Sequence, residues 1–165
     1  MNTLLPYRDF VISARLLDVK RLGQQRMDCK TILAALTVGE YKCLACHTHY
    51  KIREKPQCMC GGKLVKVPLY SHPAVEMWKG YEESLKCYSS VICHEWIDRG
   101  YKDNLLQRFK YKGEPTPPPW LGYEPFHLSH RSNLVRKNPR YYRVIFGFDT
   151  PDHLPFYWPT REKYD

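Results

Sequence analysis

The segment YKCLACHTHYKIREKPQCMCGGKLVKV, residues 41–67, holds four of the chain's seven cysteines. Cys43 and Cys46 form a C-x2-C pair, and after an eleven-residue spacer Cys58 and Cys60 form C-x-C, followed by Gly61 and Gly62. Four soft thiolates suit a tetrahedral zinc ion, and glycines beside a ligand let the backbone turn beneath the sulfur. Four protein ligands leave no coordination position open, so the pattern predicts a structural Zn2+ site and not a reactive centre. C-x-C departs from the commoner second C-x2-C, which makes His47 or His49 a rival for one ligand position; a redox dithiol is the alternative to a metal. Cys29, Cys87 and Cys93 fall in helical patterns, where cysteine is ordinarily a small buried hydrophobe.

The second source of chemistry is positive charge. The 165 residues include 26 Lys and Arg against 17 Asp and Glu, a formal charge of +9 with a pI near 9.2. Such an excess suits a polyanion, with solvated lysine faces as the alternative. Arg131, Arg136, Lys137, Arg140 and Arg143 gather in one C-terminal stretch with His127, His130, Tyr141 and Tyr142. That mixture can neutralise phosphates and place an aromatic ring against a base or into a kink. Lys42, Lys51, Arg53, Lys55, Lys63 and Lys66 surround the cysteines. Asp28 stands among Lys20, Arg21, Arg26 and Lys30, where charge balance on a helix is the plainest role.

The elements that must carry these residues read as mainly helical. Asp9 is a plausible N-cap for a helix through FVISARLLDVKRLG that Gly23 would end, with Phe10, Ala14, Leu17 and Leu22 at helical spacing. Helix resumes in QQRMDCKTILAAL, with Met27, Ile32, Leu33 and Leu36 toward a core. The glycines and β-type residues around the cysteines suggest short strands and turns. After them one long central helix is expected from Ser71 or His72 as cap, through Pro73, to Gly100 as stop. Its apolar set is Val75, Met77, Trp78, Tyr81, Leu85, Tyr88, Val91, Ile92 and Trp96. DNLLQRF reads as a short amphipathic helix, KGEPTPPPWLGYEP as an extended loop, and PFHLSHRSNLVRKNPRYYRVIFG as helix interrupted near Asn138 and Pro139. The aromatic, proline-rich tail is expected to pack over the core. No apolar run approaches the ~20 residues of a membrane span, and MNTLLPYRDF does not read as a secretory signal. The expectation is an intracellular, cytoplasmic protein without a membrane partner, in which reduced cysteines serve as metal ligands.

The joint order of R-L-G-x-Q-R (21–26), H-P-A-V-x-M-W-x-G-Y (72–81), W-L-G (120–122) and S-H-R-S-N-L (129–134) resembles the pyrimidine-dimer DNA glycosylase family of endonuclease V-like proteins. The resemblance covers most of the chain outside 38–70. It implies a compact helical domain, residues 1–37 and 71–165, interrupted by a zinc-ribbon insertion at 38–70. It also implies a monomer that grips damaged or modified double-stranded DNA, nucleoid-associated when bound, and cleaves a glycosidic bond of a pyrimidine nucleotide, with abasic lyase activity. The family's nucleophile is an N-terminal α-amine, partnered by a glutamate on the first long helix. Here the amine would come from Met1 or Asn2, where the family typically has threonine, and the carboxylate position falls on Asp28. The resemblance further implies DNA contacts by Arg21, Arg26 and His72, joined by His130, Arg131, Arg136, Lys137, Arg140 and Arg143. A noncatalytic zinc-containing nucleic-acid-binding protein on the same scaffold is the alternative, and a protein-interaction module is the third reading if the positive charge is dispersed.

Overall fold

The computed structural model describes residues 1–37, 39–52, 57–67 and 72–159. Among them the chain forms six α-helices, one 3-10 helix and one three-stranded sheet, a mainly α fold. The expected insertion boundaries at 38 and 70–71 lie outside the described residues, as do Ser71, Arg53, Lys55 and the side chains of Lys51 and Lys66.

Helix α1 (Phe10–Leu16) starts where the sequence places it, because the Asp9 carboxylate accepts from Ile12 N at 2.8 Å. The first helix ends earlier than expected. Leu17 is extended, and Asp18 begins α2 (Val19–Thr37) by accepting from Arg21 N at 2.9 Å. Arg99 closes the gap by donating to the carbonyls of Ala14 and Arg15 in α1 and of Leu17 just beyond it, at 3.4, 2.9 and 2.7 Å. Gly23 therefore sits inside α2 for a reason of space: a Cβ there would lie 3.1 Å from Trp96 Cζ3.

The inner face of α2 buries Leu22, Cys29 and Ile32, together with the polar Gln25 and Asp28. Met27, expected toward the core, is 47% exposed. The expected central helix is two pieces, α3 (Pro73–Glu76), capped by His72 Nδ1 accepting from Ala74 N at 3.1 Å, and α4 (Glu82–Asp98). Between them Gly80 takes φ +86, a left-handed turn that places Trp78 parallel to Tyr88 and edge-on to Trp120. Gly100, at φ +87, follows the end of α4 as expected.

Asp103 accepts from Leu105 N and Leu106 N, so the next segment tightens into a 3-10 helix (Leu106–Phe109) and not the expected α-helix. Beyond the prolines, Trp120 is buried and donates through Nε1 to Met77 O at 3.1 Å. Helices α5 (Glu124–Lys137) and α6 (Pro139–Phe146) break at Asn138, where the sequence predicts it. The tail is held by Leu154 N and Tyr157 N donating to Ser132 and Ser129, and Phe156, Tyr157 and Trp158 pack on the core.

The cysteine segment forms an antiparallel sheet of β1 (Gly39–Cys43), β2 (His49–Ile52) and β3 (Leu64–Val67), with β1 in the middle. Its register sets Lys42 opposite His49 and Cys43 opposite Leu64.

Candidate active site

Burying Gln25 and Asp28 on α2 is costly unless each polar atom finds a partner. The N-terminal segment supplies them. Asn2 N donates to Asp28 Oδ2 at 3.2 Å, and Gln24 Nε2 holds the other carboxylate oxygen at 3.0 Å. Gln25 accepts from Leu4 N at 2.7 Å and donates to Asn2 O at 3.3 Å. The Tyr88 hydroxyl lies 2.9 Å from Leu4 O and 3.0 Å from Gln25 Oε1. Trp78 Nε1 donates to the buried hydroxyl of Thr3.

The next residues are fixed from α5. Leu5 N donates to His130 Nδ1 at 2.9 Å, and His127 Nδ1 donates to Leu5 O at 2.8 Å while its Nε2 accepts from Gly122 N. Arg131 donates to Pro6 O at 2.7 Å, pairs with Glu124 and covers the Tyr7 ring. Residues 2–6 are thereby tied to α2, α4 and α5 at successive backbone groups. A segment bound at this density loses little further entropy when it presents a reacting atom.

Of the three expected catalytic residues, Asn2 and Asp28 meet, and Met1 lies one residue further out along the chain. Asp28 is 8% exposed. Lys137, at the end of α5, is held below the ordinary lysine value first by partial desolvation of its amine and then by Arg21, while Asp28 pulls it upward. The carboxylate and one of the expected DNA-binding cations thus share one electrostatic neighbourhood.

The expected DNA-binding residues divide in two. Arg21 pairs with Asp18 and donates to Lys137 O; Arg26 pairs with Asp103, donating through Nε at 2.6 Å, with its guanidinium 4.8 Å from the Trp96 ring centre. Arg143 binds Phe148 O and Asp152, and His72 caps α3 beside Trp158. With Arg131, these side chains hold elements together. His130 is wholly buried between Phe126 and Phe156, so the expected DNA contact is corrected to an inward bond to Leu5. Tyr142 is likewise buried, its hydroxyl accepting from Asp18 N, and only Tyr141 of that pair reaches solvent. Arg136, Lys137 and Arg140 remain exposed around the α5–α6 junction.

In the ribbon the sulfurs of Cys43, Cys46, Cys58 and Cys60 all lie within 4.8 Å of one another. A tetrahedral zinc with Zn–S of about 2.3 Å needs S–S edges of roughly 3.8 Å, and the short edges here run from 3.1 to 3.5 Å. The four cysteines fit a metal ion, and among the described residues neither His47 nor His49 joins the cluster. Ala45 N and Cys46 N point at Cys43 Sγ, and Gly62 N at Cys60 Sγ, an arrangement of backbone dipoles that stabilises thiolate charge. Thr48 draws the Cys46 thiol down to about 6 and Tyr50, 3.3 Å from Cys58 Sγ, lowers that thiol as well, whereas the adjacent Cys58 sulfur pushes Cys60 up to about 12.

Sequence reasoning missed Thr3, Gln24 and Gln25 as site residues, read Tyr88 only as core and grouped His127 with the C-terminal basic cluster. The available signal was a glutamine on the apolar face of α2, which no isolated amphipathic helix would bury. A family model described as pyrimidine dimer DNA glycosylase matches residues 1–108. Searches of curated proteins and of solved structures return no match.

Proposed function

The chain belongs to the pyrimidine dimer DNA glycosylase family, and from that premise we propose that it is a base-excision glycosylase with abasic lyase activity on damaged or modified pyrimidine-containing duplex DNA. The observation that carries the reading is the 3.2 Å contact between Asn2 N and Asp28 Oδ2. It favours Asn2 over Met1 as the source of the amine, freed by removal of the residue before it.

An α-amine titrates near 7.7–8.0, against about 10.4 for lysine, so a useful fraction is neutral at working pH. The Asn2 nitrogen attacks C1′ of the target nucleotide as the base departs with the bonding electrons; the nitrogen then gives up a proton, and its lone pair forms the C1′–N double bond of the Schiff base as the C1′–O4′ bond breaks and O4′ takes a proton. Asp28 stabilises the positive charge that develops on the sugar and moves the amine proton. Loss of a C2′ proton, acidified by the adjacent iminium, expels the 3′ phosphate with the C3′–O bonding electrons in the lyase step, and water then hydrolyses the C1′–N bond to release the enzyme. Arg136, Lys137 and Arg140 bind phosphates, and a lesion that weakens stacking lowers the energy needed to kink the duplex and extrude the nucleotide. The cysteine cluster holds one structural Zn2+ that contributes no chemistry to these steps. The protein acts as an intracellular monomer and associates with the nucleoid through bound DNA.

Borohydride trapping on an abasic-site duplex, paired with terminal mass spectrometry, tests the reading. A covalent adduct is expected on Asn2, with Asp28→Asn lowering its rate by on the order of 100-fold. Measurable DNA binding without an adduct, from a chain whose Asn2 amine is free, would support instead the noncatalytic nucleic-acid-binding protein.

A further inference from the structure

The metal end of the ribbon presents side chains that its own fold does not use. Leu44 stands between Cys43 and Cys46, and Met59 between Cys58 and Cys60; they are 54% and 99% exposed. Leu44 N donates to Lys63 O at 3.0 Å, which ties the first cysteine turn to the chain leaving the second. A Cβ on Gly62 would come within 2.6 Å of Cys43 Sγ and 2.8 Å of Ala45 Cβ, so the two turns lie flush. Both apolar tips therefore ride on one small cluster that a metal would make rigid.

The surroundings are basic. Lys63 and His47 are exposed beside the tips and Lys42 directly precedes Cys43; over residues 39–67 as a whole the sequence carries six Lys and Arg against two Glu. Isolated exposed apolar residues are ordinary. Two of them at the end of a cation-rich, metal-braced unit combine phosphate affinity with an apolar point. Leucine and methionine are among the side chains that proteins insert between base steps from the minor groove, and the flexible thioether adapts to an irregular surface.

We propose that the metal end of the ribbon is a second DNA contact, in which Lys63 and the neighbouring cations bind phosphates while Leu44 and Met59 enter the minor groove as a wedge. The proposal rests on the reading of the chain as a DNA-binding glycosylase. The contact is separate from the Asn2–Asp28 chemistry, so it affects how tightly the duplex is held and bent and leaves Schiff-base formation on a pre-opened abasic strand unchanged.

The test uses the full, zinc-loaded chain and a fluorescent duplex carrying 2-aminopurine, titrated at several salt concentrations. Leu44→Ser combined with Met59→Ser should weaken binding roughly tenfold, about 1.4 kcal/mol, and reduce the 2-aminopurine unstacking signal with the salt slope unchanged. Lys63→Gln should lower the salt slope by about 0.9, one phosphate contact, and keep the unstacking signal. Both should retain zinc and wild-type borohydride trapping on a single-stranded abasic oligonucleotide. Should the double variant lose zinc, Met59→Ser alone carries the test, because a side chain that exposed supports little of the fold. Unchanged affinity, slope and unstacking in the variants, with wild-type binding intact, overturns the ribbon contact, leaves the catalytic reading standing and turns the tip toward a protein partner. A wild-type chain that binds no duplex at any salt overturns both.

Discussion

At the scale of residues, a few buried polar groups determine where the chain begins its path through the core. Gln25 and Asp28 are satisfied on the inner face of α2 by residues 2–4 together with Tyr88 and Gln24, and residues 5 and 6 are satisfied by His127, His130 and Arg131 in turn. Both histidines must be neutral to do this. Burial lowers His127 and holds His130 well below the ordinary value of 6.5, since a charge on His130 Nδ1 would face the Leu5 N–H. The unfolded chain takes up these protons as pH falls through about 6.5, and the folded chain does not. Stability is therefore full above that pH and declines below it. Urea midpoints should fall between pH 7.5 and 5.5, and His130→Asn, which still offers Leu5 N an acceptor, should show a smaller fall. A pH-independent midpoint in the wild type would remove these histidines from the account.

At the scale of elements, glycine and aspartate decide boundaries in ways their letters alone leave ambiguous. Asp9, Asp18 and Asp103 each accept backbone N–H groups at the start of a helix, and Arg99 covers the end of α1, so α1 and α2 separate at Leu17–Asp18. Gly23 then serves the approach of α2 to α4. Trp96 cannot retreat from a new methyl, being stacked on Tyr101 at 4.2 Å, covered by Arg26 at 4.8 Å and tied through Nε1 to Lys102 O. Gly23→Ala gains roughly 0.8–1.0 kcal/mol of helix propensity, but overpacking costs typically 1–3 kcal/mol. A net destabilisation of about 1 kcal/mol is expected in chemical denaturation; a stabilised variant would show that the indole gives way.

At the scale of the whole molecule, two kinds of stability meet in one chain. The helical body rests on aromatic packing around Trp78, Tyr88, Trp120 and Phe126. The ribbon's three short strands instead converge on four sulfurs, and a unit this small generally depends on its metal. Chelation should accordingly expose four additional reactive thiols and disorder the sheet while leaving helical circular dichroism and the thermal transition of the body nearly unchanged. Cys43→Ser should act in the same direction. No helix among the described residues is long and apolar enough to cross a membrane.

The sequence by itself determined the fold class, the four-cysteine cluster, the Asp9 cap, the break at Asn138 and the family, because each rests on local spacing or on motifs in a fixed order, and it left the α3 cap open between Ser71 and His72. Through resemblance it also named Asp28, with Met1 or Asn2, as the expected catalytic set. Tertiary structure decided what those residues touch. Leu5 reaches α5 across more than a hundred positions, and Arg21, Arg26, Arg131 and Arg143, expected as DNA contacts, each have internal partners that the sequence does not show. Periodicity reports which face of a helix is apolar, but the partner of a buried polar atom is set by elements distant in sequence. The same limit hid the division of the central helix, where Gly80 turns the chain so that Trp78 can meet Thr3, Tyr88 and Trp120.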